Sequence, residues 1–597
     1  MNEINLKGRP EELIQAEQLI LEGKFEEVYK LMDKFLERGE STLKDTLLSN
    51  LLKIDIMIQQ GLYEDAIKLA NQTYKESIEL RENVLAFDAL KLEAISLLHL
   101  NNLDEALEKI KEGVELLKNI PQELPREYKK RRVDLEFLKA WFYYLKNEVD
   151  EMKTHLDSCM AFLEETGDSR QLAVVLIVST IFYGIIKGDL DLNNIKKGYA
   201  ISKKINFKYG MAFGLFGKGI ISSLKGDINQ GITYFEESLT IFKELNNKNY
   251  IANTLNNLAG AYKSIGDLEQ ALECIESSIK LSKEVGNLMA VANSYDNLIQ
   301  ILIEKDDLER AWNALEQLEL ICNQLDDKKV KVQYLVDKAF LLKTSSRSRD
   351  RIEAEDILKQ IITDETIHYE MVIDALLNLC ELLLIELRIS NDLSILDEIN
   401  SYTAQLLENA ERSHSFLLFA EIYFLKGKLS LLTLDLKNAR RFLTQAQRIA
   451  ERFGFNQLAT KISVEHDKLR NQLSIWGDLR EEEISLLERM KLAGIDEHMK
   501  YLIQRRASLT TQVKEEKITV HRERKICIIC KGKISGFMYI CDCDALYCEK
   551  CARVLIDMEN VCWVCNTPID LAEPIKPYKK DEIEEKDVKN DDFIPKI

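Results

Sequence analysis

The sequence predicts an all-α chain: a solenoid of stacked helical hairpins, with a small cysteine-rich, metal-held domain near its C-terminus. Three observations carry that prediction. The 597 residues hold only seven prolines, and none lies between 126 and 567. An interior proline costs a helix about 3 kcal/mol, whereas turns and edges of short strands recruit it, so this gap selects for helices. Turn signals recur at a nearly fixed spacing as far as Asp307. Eight of the twelve cysteines crowd into the 39 residues from Cys527 to Cys565.

Composition narrows the function classes. Apolar residues make up 46 % and charged residues 30 %, which suits a protein with a real core. The formal net charge is −19, from 81 basic and 100 acidic side chains. That balance argues against broad binding to nucleic acid or an anionic membrane, because phosphate contacts need a basic footprint. The N-terminus MNEINLKGRPEELIQAEQ lacks the apolar core of a signal peptide. The most apolar stretch, Leu172 to Ile186, is 15 residues long, where a membrane span needs roughly 20. It is expected as a helix buried on all sides. Cysteines in CxxC pairs point to a reducing compartment, hence the cytoplasm, and Cys159, Cys274, Cys322 and Cys380 are expected as buried thiols.

The turn signals are Gly23-Lys24, Gly61-Leu62, Asn101-Asn102, Asn147-Glu148, Gly188-Asp189, Gly226-Asp227, Gly266-Asp267 and Asp306-Asp307, separated by 38, 40, 46, 41, 38, 40 and 40 residues. Apolar residues flank each turn at intervals of three and four, as in Leu255, Leu258, Ala259 and Tyr262 before one turn and Leu268, Ala271, Leu272, Ile275 and Ile279 after it. Each unit is therefore two amphipathic helices joined by a tight turn. Five residues into most turns stands a small residue: Ala66, Ala106, Gly231, Ala271, Ala311, and Ala439 after Leu434-Asp435. A hairpin's helices approach closely only where a side chain is nearly absent, so these mark the helix contacts; Val28 and Asn193 depart from the rule.

The unit NNLAGAYKSIGDLEQALECIESSI resembles the tetratricopeptide repeat (TPR), with Leu258, Ala259, Tyr262, Gly266, Asp267, Ala271, Ile275 and Ser278 on the motif positions. It departs in period, about 40 against 34, and in lacking the proline that often closes a repeat. The resemblance implies a right-handed TPR-like solenoid over residues 1–455, with ten or eleven hairpins and a concave face, lined by the first helices, that binds a protein or peptide. Asn257 and Asn297 share one register in successive repeats, where some tetratricopeptide grooves hold peptide backbone or terminal carboxylates; purely local hydrogen bonding is the alternative. The segment KTSSRSRDR, 343–351, predicts a longer solvated loop. The glycines of GMAFGLFGKGI, 210–220, lack the strand and the Ser or Thr of a phosphate loop and are expected to serve close helix packing. Trp141-Phe142-Tyr143-Tyr144 is expected as core plus groove wall. No catalytic motif is present, and no catalytic residue is assigned.

Residues 456–520 stay helical but leave the 40-residue register. Leu458, Ile462, Leu469, Leu473 and Trp476 form one apolar series, and Ile484, Leu487, Ile495, Met499 and Leu502 a second. They predict a connector that docks on the last repeat or, in the alternative, forms a homodimer stalk.

The finger spans 521–572. Cys527, Cys530, Cys541, Cys543, Cys548, Cys551, Cys562 and Cys565 are spaced C-x2-C-x10-C-x1-C-x4-C-x2-C-x10-C-x2-C. Eight thiolates satisfy two tetrahedral Zn2+ ions, and so short a segment needs metal to fold. Spacing alone permits either two successive sites or an interleaved pair. The order resembles the all-cysteine RING finger. That resemblance implies that Cys527, Cys530, Cys548 and Cys551 share one zinc and Cys541, Cys543, Cys562 and Cys565 the other. It also implies a ubiquitin-ligase-type (E3) module that binds a charged ubiquitin-conjugating enzyme and acts by positioning, with no nucleophile of its own. Ile529 and Leu555 match its docking surface; Trp563 and Val564 stand where a proline is usual, and Asn566 where a basic residue often follows. Seven basic and seven acidic side chains between 521 and 572 leave no footprint for nucleic acid. The charged tail, 573–597, is expected to be disordered. The sequence thus predicts an adaptor that joins a cargo groove to a recruiting finger, or a non-enzymatic scaffold or signalling regulator whose finger only binds.

Overall fold

The computed structural model describes residues 10–37, 42–119, 125–146, 148–163, 169–187, 192–224, 227–325, 327–345, 347–364, 367, 369–412, 415–452, 456–471, 485–504, 537–541, 546–548, 551–552, 561–562 and 576–577. Within them lie α1 (Glu11–Leu21), α2 (Phe25–Glu37), α3 (Leu43–Gln59), α4 (Tyr63–Glu79), α5 (Asn83–His99), α6 (Leu103–Lys118), α7 (Pro125–Leu145), α8 (Val149–Leu163), α9 (Arg170–Lys187), α10 (Asn193–Lys204), α11 (Lys208–Leu224) and α12 (Ile228–Glu244). The series continues with α13 (Lys248–Ser264), α14 (Leu268–Glu284), α15 (Leu288–Glu304), α16 (Leu308–Leu325), α17 (Lys328–Thr344), α18 (Ser348–Thr363), α19 (Tyr369–Ser390), α20 (Ile395–Arg412), α21 (Phe416–Leu432) and α22 (Leu436–Arg452). These 22 helices make eleven hairpins. After them come α23 (Asn456–Asn471), α24 (Leu486–Ala493), α25 (Ile495–Gln504), and the strands β1 (Phe537–Ile540), β2 (Leu546–Cys548) and β3 (Lys576–Pro577).

The 40-residue period has a simple origin. Helices such as α3, α4, α5, α13, α14 and α15 are each 17 residues long, and three-residue turns make each half-unit 20. The middle turn residue is left-handed: Gly61 (φ 74°), Arg81 (58°), Asn101 (59°), Asn246 (54°), Gly266 (84°), Gly286 (72°) and Asp306 (60°). The next amide then reaches back five residues, as Leu62 N does to Met57 O (2.8 Å) and Asp307 N to Leu302 O (2.9 Å), which closes the finished helix. The same residue caps the next helix: Asp267 accepts from Gln270 N (3.2 Å), Asn247 from Tyr250 N (2.8 Å) and Asn287 from Ala290 N (3.0 Å). Gly-Asp is thus one helix's stop and the next helix's start.

The small residues five positions into the turn are fully buried at Ala66, Ala106, Ala271, Ala311 and Ala439. Asn193 departs because in that hairpin the close contact falls at Gly198, where a Cβ would meet Ala173 O at 2.8 Å. The glycines of α11 serve close packing: a Cβ on Gly210 would meet the Phe207 ring at 2.3 Å, and one on Gly219 the Phe235 ring at 2.6 Å. In α9, the apolar run buries Leu172, Ala173, Val175, Leu176, Ile177, Val178, Ile181 and Phe182. Among the described residues no helix is long and apolar enough to cross a membrane. Cys159, Cys322 and Cys380 are buried and Cys274 half-buried.

Two expectations need correction. The long loop at 343–351 shrinks to a three-residue turn, because Ser348 already begins α18; Ser345 Oγ donates to Asp350 (2.5 Å) and Arg351 Nη1 to Ser345 O (3.0 Å), tying the polar residues together. In the connector, Leu487 is exposed while Leu486 and Met490 are buried. Gly494, left-handed at φ 55°, breaks the segment in two, so one periodicity cannot run through it. Ile484 lies outside the described residues.

The chain divides into two compact units: Met1–Glu386 with Glu408–Ser415 and Lys500–Lys514, and Leu387–Leu407 with Phe416–Met499 and Glu515–Ile597. In the first, the second hairpin meets the start of the seventh. Asn247 Nδ2 donates to Gln59 O (2.8 Å) and Asn249 Nδ2 to Tyr63 Oη (3.3 Å), across 188 and 186 residues. Gly61 makes the approach possible, since a Cβ there would stand 3.0 Å from Asn247 Oδ1. In the second unit, α23 packs on α22 and α24 on α21, so the described connector helices dock on the last repeat of their own chain. There also, β1 pairs antiparallel with β2, Tyr539 opposite Tyr547, and with β3.

Candidate functional site: the concave face

Odd-numbered helices touch one another along the stack: α3 with α5, α5 with α7, α13 with α15, α15 with α17. In a curved stack the helices that crowd together line the inside, so in the first unit the odd-numbered helices form the concave face. Aligned on their turns, they show a sharp change of chemistry.

From α3 to α9 the face is charged and self-satisfied. Arg170 donates two hydrogen bonds to Asp55, at 2.5 and 2.6 Å; Arg131 donates to Asp88 (2.5 Å), Lys91 to Asp134 (3.3 Å), and Gln171 to Asp134 (2.5 Å). Burial works against the charge on Asp55, but the adjacent Arg170 guanidinium prevails and holds the carboxyl below its usual range. Burial likewise disfavours the Lys91 ammonium, and Asp134 and Asp88 reverse that, leaving its pKa raised. Beside this network His99 stacks on Tyr63 at 4.4 Å and meets Trp141 edge-on at 4.6 Å. Burial pushes His99 down to about 3, so the ring is neutral. Of the aromatic run, Phe142 is core, Tyr144 stacks on Phe182 and Trp141 faces inward, so it is core and wall together.

At α13 and α15 the face turns to carboxamides. Asn253, Asn256 and Asn257 share one helical face with Gly260, at intervals that put them side by side. Asn293, Asp296, Asn297 and Gln300 occupy the same registers 40 residues on. Asn297 Nδ2 donates to Asn256 Oδ1 (3.1 Å), Lys263 Nζ to Gln300 Oε1 (2.6 Å) and Gln300 Nε2 to Asp296 Oδ1 (2.7 Å). Asn257 Nδ2 turns onto its own helix, to Asn253 O (2.9 Å). A Cβ built on Gly260 would meet nothing within 4 Å, so this glycine faces open space rather than a packed neighbour. The sequence picked out Asn257 and Asn297 but missed Asn253, Asn256, Asn293 and Gln300. Their signal was present as NTLNN and NSYDN one period apart.

Residues 212–284 match the family model of the tetratricopeptide repeat. That stretch, α11 to α14, is of the tetratricopeptide type. Among solved structures, the apo form of RapI is 14 % identical with a TM-score of 0.41, covering 62 % of this chain and 98 % of its own. The apo quorum sensor NprR from B. thuringiensis is 13 % identical with a TM-score of 0.43, covering 60 % and 98 %. No curated protein matches this chain.

In the finger region, four of the eight cysteines are described. Cys541 follows β1, Cys548 ends β2, and Cys541 and Cys562 are buried. None of the four is in a disulfide. Tyr547 Oη lies 3.1 Å from Cys562 Sγ, the kind of contact that steadies a metal-bound thiolate. Among the described residues no three metal-binding side chains converge; Cys527, Cys530, Cys543 and Cys565 lie outside them, as do Ile529, Leu555 and Trp563.

Proposed function

We propose that this protein is an adaptor whose tetratricopeptide-type solenoid holds an extended segment of a partner protein against α13 and α15. The supporting observation is the patch of six carboxamides around Gly260. A peptide main chain alternates N–H and C=O groups, and a carboxamide can answer either. A glycine with open space before it lets that main chain approach closely, at a cost in helix propensity of about 1 kcal/mol relative to alanine. Selection of a phage-displayed peptide library on the full chain tests this: Asn297→Ala and Gly260→Leu should each weaken selected peptides at least tenfold. Equal binding by both variants would refute the assignment.

The second half of the proposal is a two-zinc RING-like finger. The described thiols fit it: none is in a disulfide, Cys541 and Cys548 lie at the ends of β1 and β2, and the Tyr547 hydroxyl stands against the Cys562 sulfur. Cys527, Cys530, Cys548 and Cys551 would hold one ion and Cys541, Cys543, Cys562 and Cys565 the other. Bound zinc supplies folding energy to a segment with little core of its own. Ile529, Leu555 and Trp563 would then offer an apolar surface to a ubiquitin-conjugating enzyme, in the reducing cytoplasm. Thioester discharge from a panel of such enzymes is the assay, and Ile529→Ala should abolish it without releasing metal. The unusual Trp563-Val564 and Asn566 favour a second reading, a binding finger without ligase activity; two bound zincs with no discharge would establish that one.

A further inference from the structure

The positions that are open on α13 are covered on α21. Counted from their turns, Asn253, Asn256 and Gly260 correspond to Glu421, Phe424 and Lys428. All three are buried, Lys428 at 5 % exposure. The cover is the chain's own α24 and the start of α25, whose Leu486, Met490, Ala493, Ile495 and Met499 are buried and whose His498 ring meets Phe424 at 4.4 Å.

The contact is fixed by reciprocal capping. Lys428 Nζ donates to Ala493 O, the last carbonyl of α24, at 2.6 Å and to Gly494 O at 3.3 Å. Arg489 Nη1 donates to Leu432 O, the last carbonyl of α21, at 2.6 Å. Each helix sets a cation at the other's negative end, where unpaired carbonyls need donors. An ammonium stem buried beside apolar walls is a receptor for the C-terminal end of an amphipathic helix.

The occupant is built for release. It is an eight-residue helix, too short to persist alone, and its outer face still exposes Leu487 and Leu492. Charge surrounds it: Lys428 pairs with Glu465 (3.2 Å), His498 lies 3.9 Å from Glu421, and Arg388 bonds Asp496. Such groups regain water on separation, unlike the alanine and leucine contacts inside each hairpin, so this seam opens at lower cost.

We propose that the face of α21 carrying Glu421, Phe424 and Lys428 is a helix-docking site and that α24 is its internal occupant, exchangeable for a helix of the same design supplied in trans. This site is independent of the carboxamide patch. The test uses the full chain and a fluorescent synthetic peptide of residues 485–504. Met490→Asp, and separately Arg489→Gln, should vacate the face and raise peptide affinity at least tenfold over the parent chain, and adding Lys428→Met should abolish the gain. If neither variant gains peptide binding, or if both lower the melting temperature of the solenoid as a whole, α24 is a fixed part of the last repeat and the proposal fails.

Discussion

Arg170 grips Asp55 with two hydrogen bonds, 2.5 and 2.6 Å, although 115 residues separate them. The pair ties the inner helices α3 and α9 together within the first unit, where Asn247 and Asn249 join the second hairpin to the seventh. Asp55→Asn should therefore destabilise the chain by about 1–3 kcal/mol, a range set below that of a fully buried pair because Arg170 keeps part of its side chain in solvent. Denaturant unfolding would show it, and an exchange of the two residues should restore part of the loss.

That contribution has a defined pH window. Asp55 titrates below its ordinary 3.8 in the folded chain. Its stabilisation is present above 3.8 and is lost as pH falls through the lower folded value. The difference between Asp55→Asn and the parent should be the same at pH 7 and pH 5, and should shrink only below about 4.

Two glycines should behave oppositely. Gly219→Ala would drive a methyl into the Phe235 ring and cost about 1–3 kcal/mol. Gly260→Ala has free space and gains helix propensity, so it should stabilise by up to about 1 kcal/mol. Thermal melts of the two variants give the comparison directly.

Docking of α24 should weaken in acid. Burial first, then Lys428 and Lys461, keep His498 well below 6.5, against a hydrogen bond to the Glu421 backbone; Glu465, Arg388 and Asp496 complete the charged surround. Only the undocked segment takes a proton near 6.5, so docking is full above that pH and falls roughly tenfold per unit beneath it. Amide-exchange protection factors over 486–499 should follow this slope, and His498→Gln should flatten it.

Metal analysis should find two zincs per chain. Cys562→Ser should remove one and expose Tyr547, read as a rise in proteolysis near 547, while the helical circular dichroism of the solenoid stays unchanged.

The repeat was legible because Gly-Asp turns encode a left-handed stop and a cap together. The half-period of 20 is masked in the sequence because intervening turns such as those at Arg81 and Asn246 adopt the same left-handed conformation without glycine. Asp55 and Arg170 carry no local signal; only the curvature of the stack brings them together. Leu487 shares the apolar series of Ile495 and Met499 yet is exposed, because the break at Gly494 restarts the helical count. Asn257 and Asn297 stand out in the sequence by register, whereas the neighbours that make them a surface become apparent only from which helix face looks inward.

The most direct test of the central claim is the affinity of library-selected peptides for the chain carrying Asn253→Ala, Asn297→Ala and Gln300→Ala together. A loss of a hundredfold or more, with unfolding unchanged, is the predicted result. Undiminished binding by the triple variant would place the partner elsewhere and contradict the account.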